Sequence, residues 1–115
     1  MSKALLAAVV VLALHGAACS GGGGSDCTSA SATKLTGTLT VKDFSFSPSC
    51  FSVASGSTIS LANKGGVGHN FTVKDAHIAV SLASGKTGET TAPAPGTYHV
   101  VCTIHPAMMG TMIVT

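Results

Sequence analysis

The chain has 115 residues, 45% of them hydrophobic, with six lysines and no arginine against four acidic residues, for a formal net charge of +2. That length holds one small domain. The scattered lysines make no basic stripe for a nucleic acid, and so slight a net charge excludes strong electrostatic steering of a partner.

Met1 to Ala18 carries one basic residue, Lys3, then the apolar run ALLAAVVVLAL and the small residues GAA ahead of Cys19. A charged start, an apolar middle and a small-residue cleavage site predict a secretory signal peptide over residues 1–18, and the run is too short to read as a membrane span. Cys19 stands at the cut. This resembles the lipobox of bacterial lipoproteins, where that cysteine is acylated and fastens the exported protein to a membrane. Gly16, where a Leu-like residue is usual, and His15 depart from that pattern, and cleavage to a soluble secreted form is the alternative. Either route leads to the periplasmic or extracellular side. Residues 19–33 are rich in Gly, Ser and Thr with no apolar period, as in a flexible tether, and the folded domain is expected over residues 34–115. About 80 residues make a small core, for which a covalent staple is useful.

No segment from Leu35 onward keeps a helical period, whereas several alternate with period two, the mark of half-buried strands. GTLTVKDF places Leu39 and Val41 on one face, TISLAN pairs Ile59 with Leu61, and HNFTV aligns His69, Phe71 and Val73. TYHVVC puts Tyr98, Val100 and Cys102 on one side with His99 and Val101 on the other, and TMIVT forms the last strand. Turn signals at SPS, ASGS, KGGVG, ASGKTGE and PAPG separate these runs. The pattern is that of an all-β antiparallel sandwich or barrel. His69 and Cys102 both turn inward at strand ends.

An exported chain keeps its thiols oxidised unless something occupies them. With Cys19 assigned to lipid and Cys102 placed among potential metal ligands, Cys27 and Cys50 are left as a disulfide; a bridge from either to Cys102, with no metal site, is the competing arrangement. Cys102, His105 and Met108 lie on one short loop, and His69 joins them from a distant strand. Two imidazoles, a thiolate and a weak thioether are the ligand set of an electron-transfer copper centre. Pro106 fixes the backbone after one ligand, and Gly110 permits a sharp turn into the last strand.

GTYHVVCTIHPAMMG, with GHNFTV and the earlier DFSFSPSCFSVASGSTISLAN, resembles the cupredoxins, and the Cys-x-x-His-Pro-x-Met-x-Gly loop is most similar to amicyanin and plastocyanin-like members. The resemblance implies a Greek-key β-sandwich holding one type 1 copper on His69, Cys102, His105 and Met108. It further implies that Asn70 ties the two ligand loops together, with Thr103 assisting. His105 would reach the surface, where Pro106, Ala107 and Met109 frame an apolar patch for a redox partner protein. Ile104, where proline is common, and the extra cysteine pair depart from the pattern.

The expected function is single-electron transport by a monomeric carrier. The alternative is a copper scavenging or delivery protein, which Met109 and Met112 favour. Catalysis by a thiol nucleophile is not expected, because no group is evident to orient His105. Zinc accepts one Cys and two His but makes little use of a thioether. His77 and His99 fall outside the constellation. Between Met108 and Met109, the resemblance to the amicyanin loop, with methionine three residues after the histidine and x-Gly following in register, implies Met108 as the axial ligand.

Overall fold

A computed structural model describes residues 26–115; the predicted signal peptide and Cys19 lie outside the described residues. Among the described residues, ten strands build two sheets: β1 (Thr33–Lys34), β2 (Thr38–Lys42), β3 (Ser45–Ser47), β4 (Cys50–Val53), β5 (Thr58–Asn63), β6 (His69–Val73), β7 (Ile78–Leu82), β8 (Thr87–Thr91), β9 (Gly96–Val101) and β10 (Met109–Val114). The larger sheet runs β1-β4-β10-β9-β6-β7 and the smaller β3-β2-β5-β8. This is the expected all-β sandwich, with three parallel pairings, β1 with β4, β4 with β10 and β2 with β5, among otherwise antiparallel ones. Alternation reports which face of a strand is buried and is blind to strand direction, so the parallel pairs had no signal.

The core lies between the sheets. Leu39, Val41, Ile59 and Leu61 from the smaller sheet meet Phe51, Phe71, Val73, Val100 and Met112 from the larger, all buried. At roughly 25 cal/mol per Å² of apolar surface, each such side chain contributes about 1.5–3 kcal/mol. The alternation of β2 and β5 survives as a one-sided burial pattern. In β6 all five residues are buried, because Asn70 and Thr72, on the face away from Phe71, sit in a hydrogen-bonded network rather than in water.

The boundary of the tether needs correction. Its last residues belong to the fold: Cys27 is bonded to Cys50 (S–S 2.06 Å), residues 28–32 form a hydrogen-bonded turn, and Thr33 pairs with Phe51 in β1. A short polar segment gives no period to read, yet a covalent link and a sheet edge order it. β4 and β10 run in parallel from Cys50 and Thr111, so the disulfide sits at the end of the sandwich where β9 stops and β6 starts.

Candidate metal centre

β6 begins at His69 and β9 ends at Val101, one residue before Cys102. The two strands are antiparallel neighbours, with Thr72 opposite Val101, so the start of one and the end of the other meet at the same end of the sandwich. The chain then passes through residues 102–108 and returns as β10. That loop is closed on itself: the Cys102 N–H donates to the Met108 carbonyl (3.0 Å) and the Met108 N–H to the His105 carbonyl (2.8 Å).

The structure brings His69, Cys102 and His105 together, with their ligand atoms all within 4.8 Å of one another. Cys102 Sγ lies 3.9 Å from His69 Nδ1 and 3.7 Å from His105 Nδ1, too long for strong hydrogen bonds. These distances suit a shared ion. Bonds of about 2.3 Å to thiolate and about 2.0 Å to imidazole, as at zinc, separate S from N by roughly 3.7 Å in a trigonal plane. Met108, buried in the core cluster, adds a thioether from the same loop. A donor set of one soft thiolate, two imidazoles and a thioether fits copper and is poorly matched to zinc.

Neighbouring groups prepare the ligands. The Asn70 N–H donates to Cys102 Sγ (3.4 Å), while the Asn70 side chain donates to Thr103 Oγ1 (2.7 Å) and accepts from the Thr103 N–H (3.0 Å) and the Thr72 hydroxyl (2.7 Å). Asn70 and Thr103 thus join the strand bearing His69 to the loop bearing Cys102. Burial pushes the Cys102 thiol up, but the Asn70 N–H and the two imidazoles outweigh it and bring its pKa to about 6. Cys102 is therefore largely thiolate at neutral pH, the form that binds metal.

His69 is held from behind by a residue that alternation did not single out. Its Nε2 lies 2.8 Å from Asp43 Oδ1, in the turn between β2 and β3. Donation from Nε2 to the carboxylate leaves the Nδ1 lone pair facing Cys102. Burial opposes charge on this ring, yet Asp43 and Cys102 raise its pKa above the ordinary value. The Gly66 N–H, then the His69 ring, hold the Asp43 carboxyl below the usual carboxylate range. Phe44, next in sequence, sets its ring edge-on to His105 at 4.9 Å. Asp43 and Phe44 lie in sequence at the end of a predicted strand, far from the ligand motifs, and alternation gives them no signal as partners of the histidines.

The remaining predicted residues separate cleanly. Met109 is 52% exposed, Pro106 and Ala107 are exposed, and His105 is half-buried between them. Met112 is wholly buried in the core. His77 follows a short 3₁₀ turn and His99 lies on the outer face of β9; both are exposed and neither joins the ligand cluster. Gly110 serves a purpose other than the expected sharp turn. Its φ is not positive, but a Cβ there would lie 2.8 Å from the Ser49 carbonyl, so the residue is small because β10 and the Ser49 backbone approach closely.

A family model described as "Cupredoxin-like domain" matches residues 4–114. No curated protein matches the sequence, whereas 133 chains of solved structures do. A reduced amicyanin variant is 20% identical, with TM-score 0.59 over 76% of this chain and 86% of that one. A purple cupredoxin from Nitrosopumilus maritimus is 23% identical, with TM-score 0.54 over 61% and 81%. At these identities the likeness concerns the fold. A copper-containing nitrite reductase from Thermus scotoductus is 26% identical (TM-score 0.58), but the match covers 68% of this chain and only 22% of that enzyme.

Proposed function

The chain belongs to the cupredoxin-like family, its four ligands suit one copper ion, and on that premise we propose that it is an exported single-electron carrier, fastened to a membrane through an acylated Cys19. Bound copper supplies a Cu(II)/Cu(I) couple; the protein supplies a site that fits both states. Thiolate and thioether stabilise Cu(I), and imidazole suits either ion.

The observation that supports this reading most is the closure of the site around preassembled ligands. Cys102, His69 and Met108 are buried, so the only ligand edge near solvent is that of His105. A site of that form has no open position for a substrate, which is what a catalytic metal keeps free. It does have a route for an electron. Pro106, Ala107 and Met109 surround His105, and Phe44 and Ile104, each 59% exposed, enlarge the apolar surface on which we propose a redox partner protein docks. The copper-delivery alternative draws on surface methionines, and of Met108, Met109 and Met112 only Met109 reaches solvent.

The test is reconstitution of the chain from Cys19 onward with Cu(II), followed by cycles of reduction and oxidation. An intense visible thiolate-to-copper band and retention of copper through both states are expected. A missing band with Cys102 intact, or loss of the ion to a Cu(I) chelator on reduction, refutes the carrier reading. The mass of the exported N-terminal peptide decides lipidation separately.

A further inference from the structure

The turn between β2 and β3 touches both histidines at once. Asp43 bonds His69, and its second oxygen, Oδ2, accepts from the Gly66 N–H at 2.8 Å. Phe44 lies over His105 at 4.9 Å and 6.0 Å from His69. The adjoining loop is shaped to receive this turn. The Lys64 N–H donates to the Val41 carbonyl (2.8 Å), and a Cβ at Gly65 would stand 2.2 Å from Asp43 Oδ1 and 2.9 Å from the Asp43 backbone nitrogen. Phe44 itself has φ of 146°, a backbone state that non-glycine residues seldom adopt and that persists only where surrounding contacts enforce it. The turn is thus fastened on two sides and strained at its apex, directly against the ligands.

We infer that this turn is a clamp on the metal centre in which Asp43 is a positioning residue: acting through His69, it fixes the ring and keeps a negative charge beside the copper site that lowers the reduction potential, and Gly65 is the residue that lets the carboxylate in. This rests on the copper-carrier reading. The sign follows from elementary electrostatics. A carboxylate accepting from Nε2 makes the opposite nitrogen a stronger donor, and both that donation and the charge itself favour Cu(II) over Cu(I). A residue that merely supported the fold would leave the potential unmoved.

The test uses the copper-loaded protein and two substitutions that reach the same contact from opposite sides. Asp43→Asn removes the charge and should raise the midpoint potential, seen as a several-fold larger Cu(I)/Cu(II) ratio at a fixed poise. Gly65→Ala removes no charge, yet it should raise the potential too by displacing the carboxylate. The double variant should match the larger single effect rather than their sum, because both break one interaction. Asp43→Glu should restore part of the wild-type potential. An unchanged or lowered potential in Asp43→Asn, or additive effects in the double variant, overturns the clamp. Should Gly65→Ala fail to fold, the Asn and Glu variants still decide. Absence of the thiolate-to-copper band in wild-type protein sinks the carrier reading, whereas a normal band with a potential indifferent to Asp43 sinks this inference alone.

Discussion

Replacing Asn70 with Ala removes three hydrogen bonds: the donation to Thr103 Oγ1 and the acceptances from the Thr103 N–H and the Thr72 hydroxyl. At about 1 kcal/mol net for each, the metal-free domain should lose about 3 kcal/mol, a large part of the roughly 5–15 kcal/mol that holds a domain folded. With a urea dependence of about 1–2 kcal/mol per M, the unfolding midpoint falls by about 2 M, measured by equilibrium denaturation with far-UV circular dichroism. The bond to Cys102 Sγ comes from the Asn70 main chain and survives the change. The variant therefore separates tying of the loops from stabilisation of the thiolate. Thr72→Val, which breaks one of the three bonds, should cost about 1 kcal/mol. A loss under about 1 kcal/mol in Asn70→Ala refutes the view that this side chain joins strand to loop.

Replacing Cys27 and Cys50 together by Ser opens a bridge with a sequence separation of 23. Chain entropy for such a loop gives a loss of about 3 kcal/mol, or roughly 15 °C in the melting temperature of a domain this size; a drop of less than about 4 °C in a reversible melt contradicts it. Met108→Leu should change the optical spectrum and potential of the copper form more than Met109→Leu, since Met108 is buried and Met109 exposed, and the reverse ranking overturns the axial assignment. Copper binding should weaken as pH falls through about 6, where Cys102 becomes protonated. The sign is fixed because proton and metal compete for the same thiolate, and an affinity that holds constant to pH 4.5 in a competition titration is inconsistent with it.

The sequence carried the ligands well because their order and spacing are local: a strand that alternates into Cys102, three residues to His105, three more to Met108. Inward phase also placed His69 on the correct face. What was illegible depends on approach between segments remote in sequence. Asp43 is 26 positions from His69 and joins it only once β2 and β6 are folded into opposing sheets. β8, with the sequence TGETT, has no apolar residue to betray it and is a strand because it completes the edge beside β5. Gly110 read as a turn residue, yet its size answers to the Ser49 carbonyl, a contact that no local pattern contains.

The disulfide has a consequence for where the protein is held. Cys27 lies against Thr111, with its sulfur 3.8 Å from the Thr111 carbonyl, two residues beyond Met109. Any anchor upstream of Cys27 therefore grips the molecule at the end that bears the ligands. For an acyl chain on Cys19, as proposed, the intervening eight steps reach at most about 27 Å, against about 48 Å if the leash ran free to Thr33. With that anchor in place, the bridge would shorten the radius within which the ligand-bearing face searches, and would concentrate that face in the thin layer of water next to the membrane.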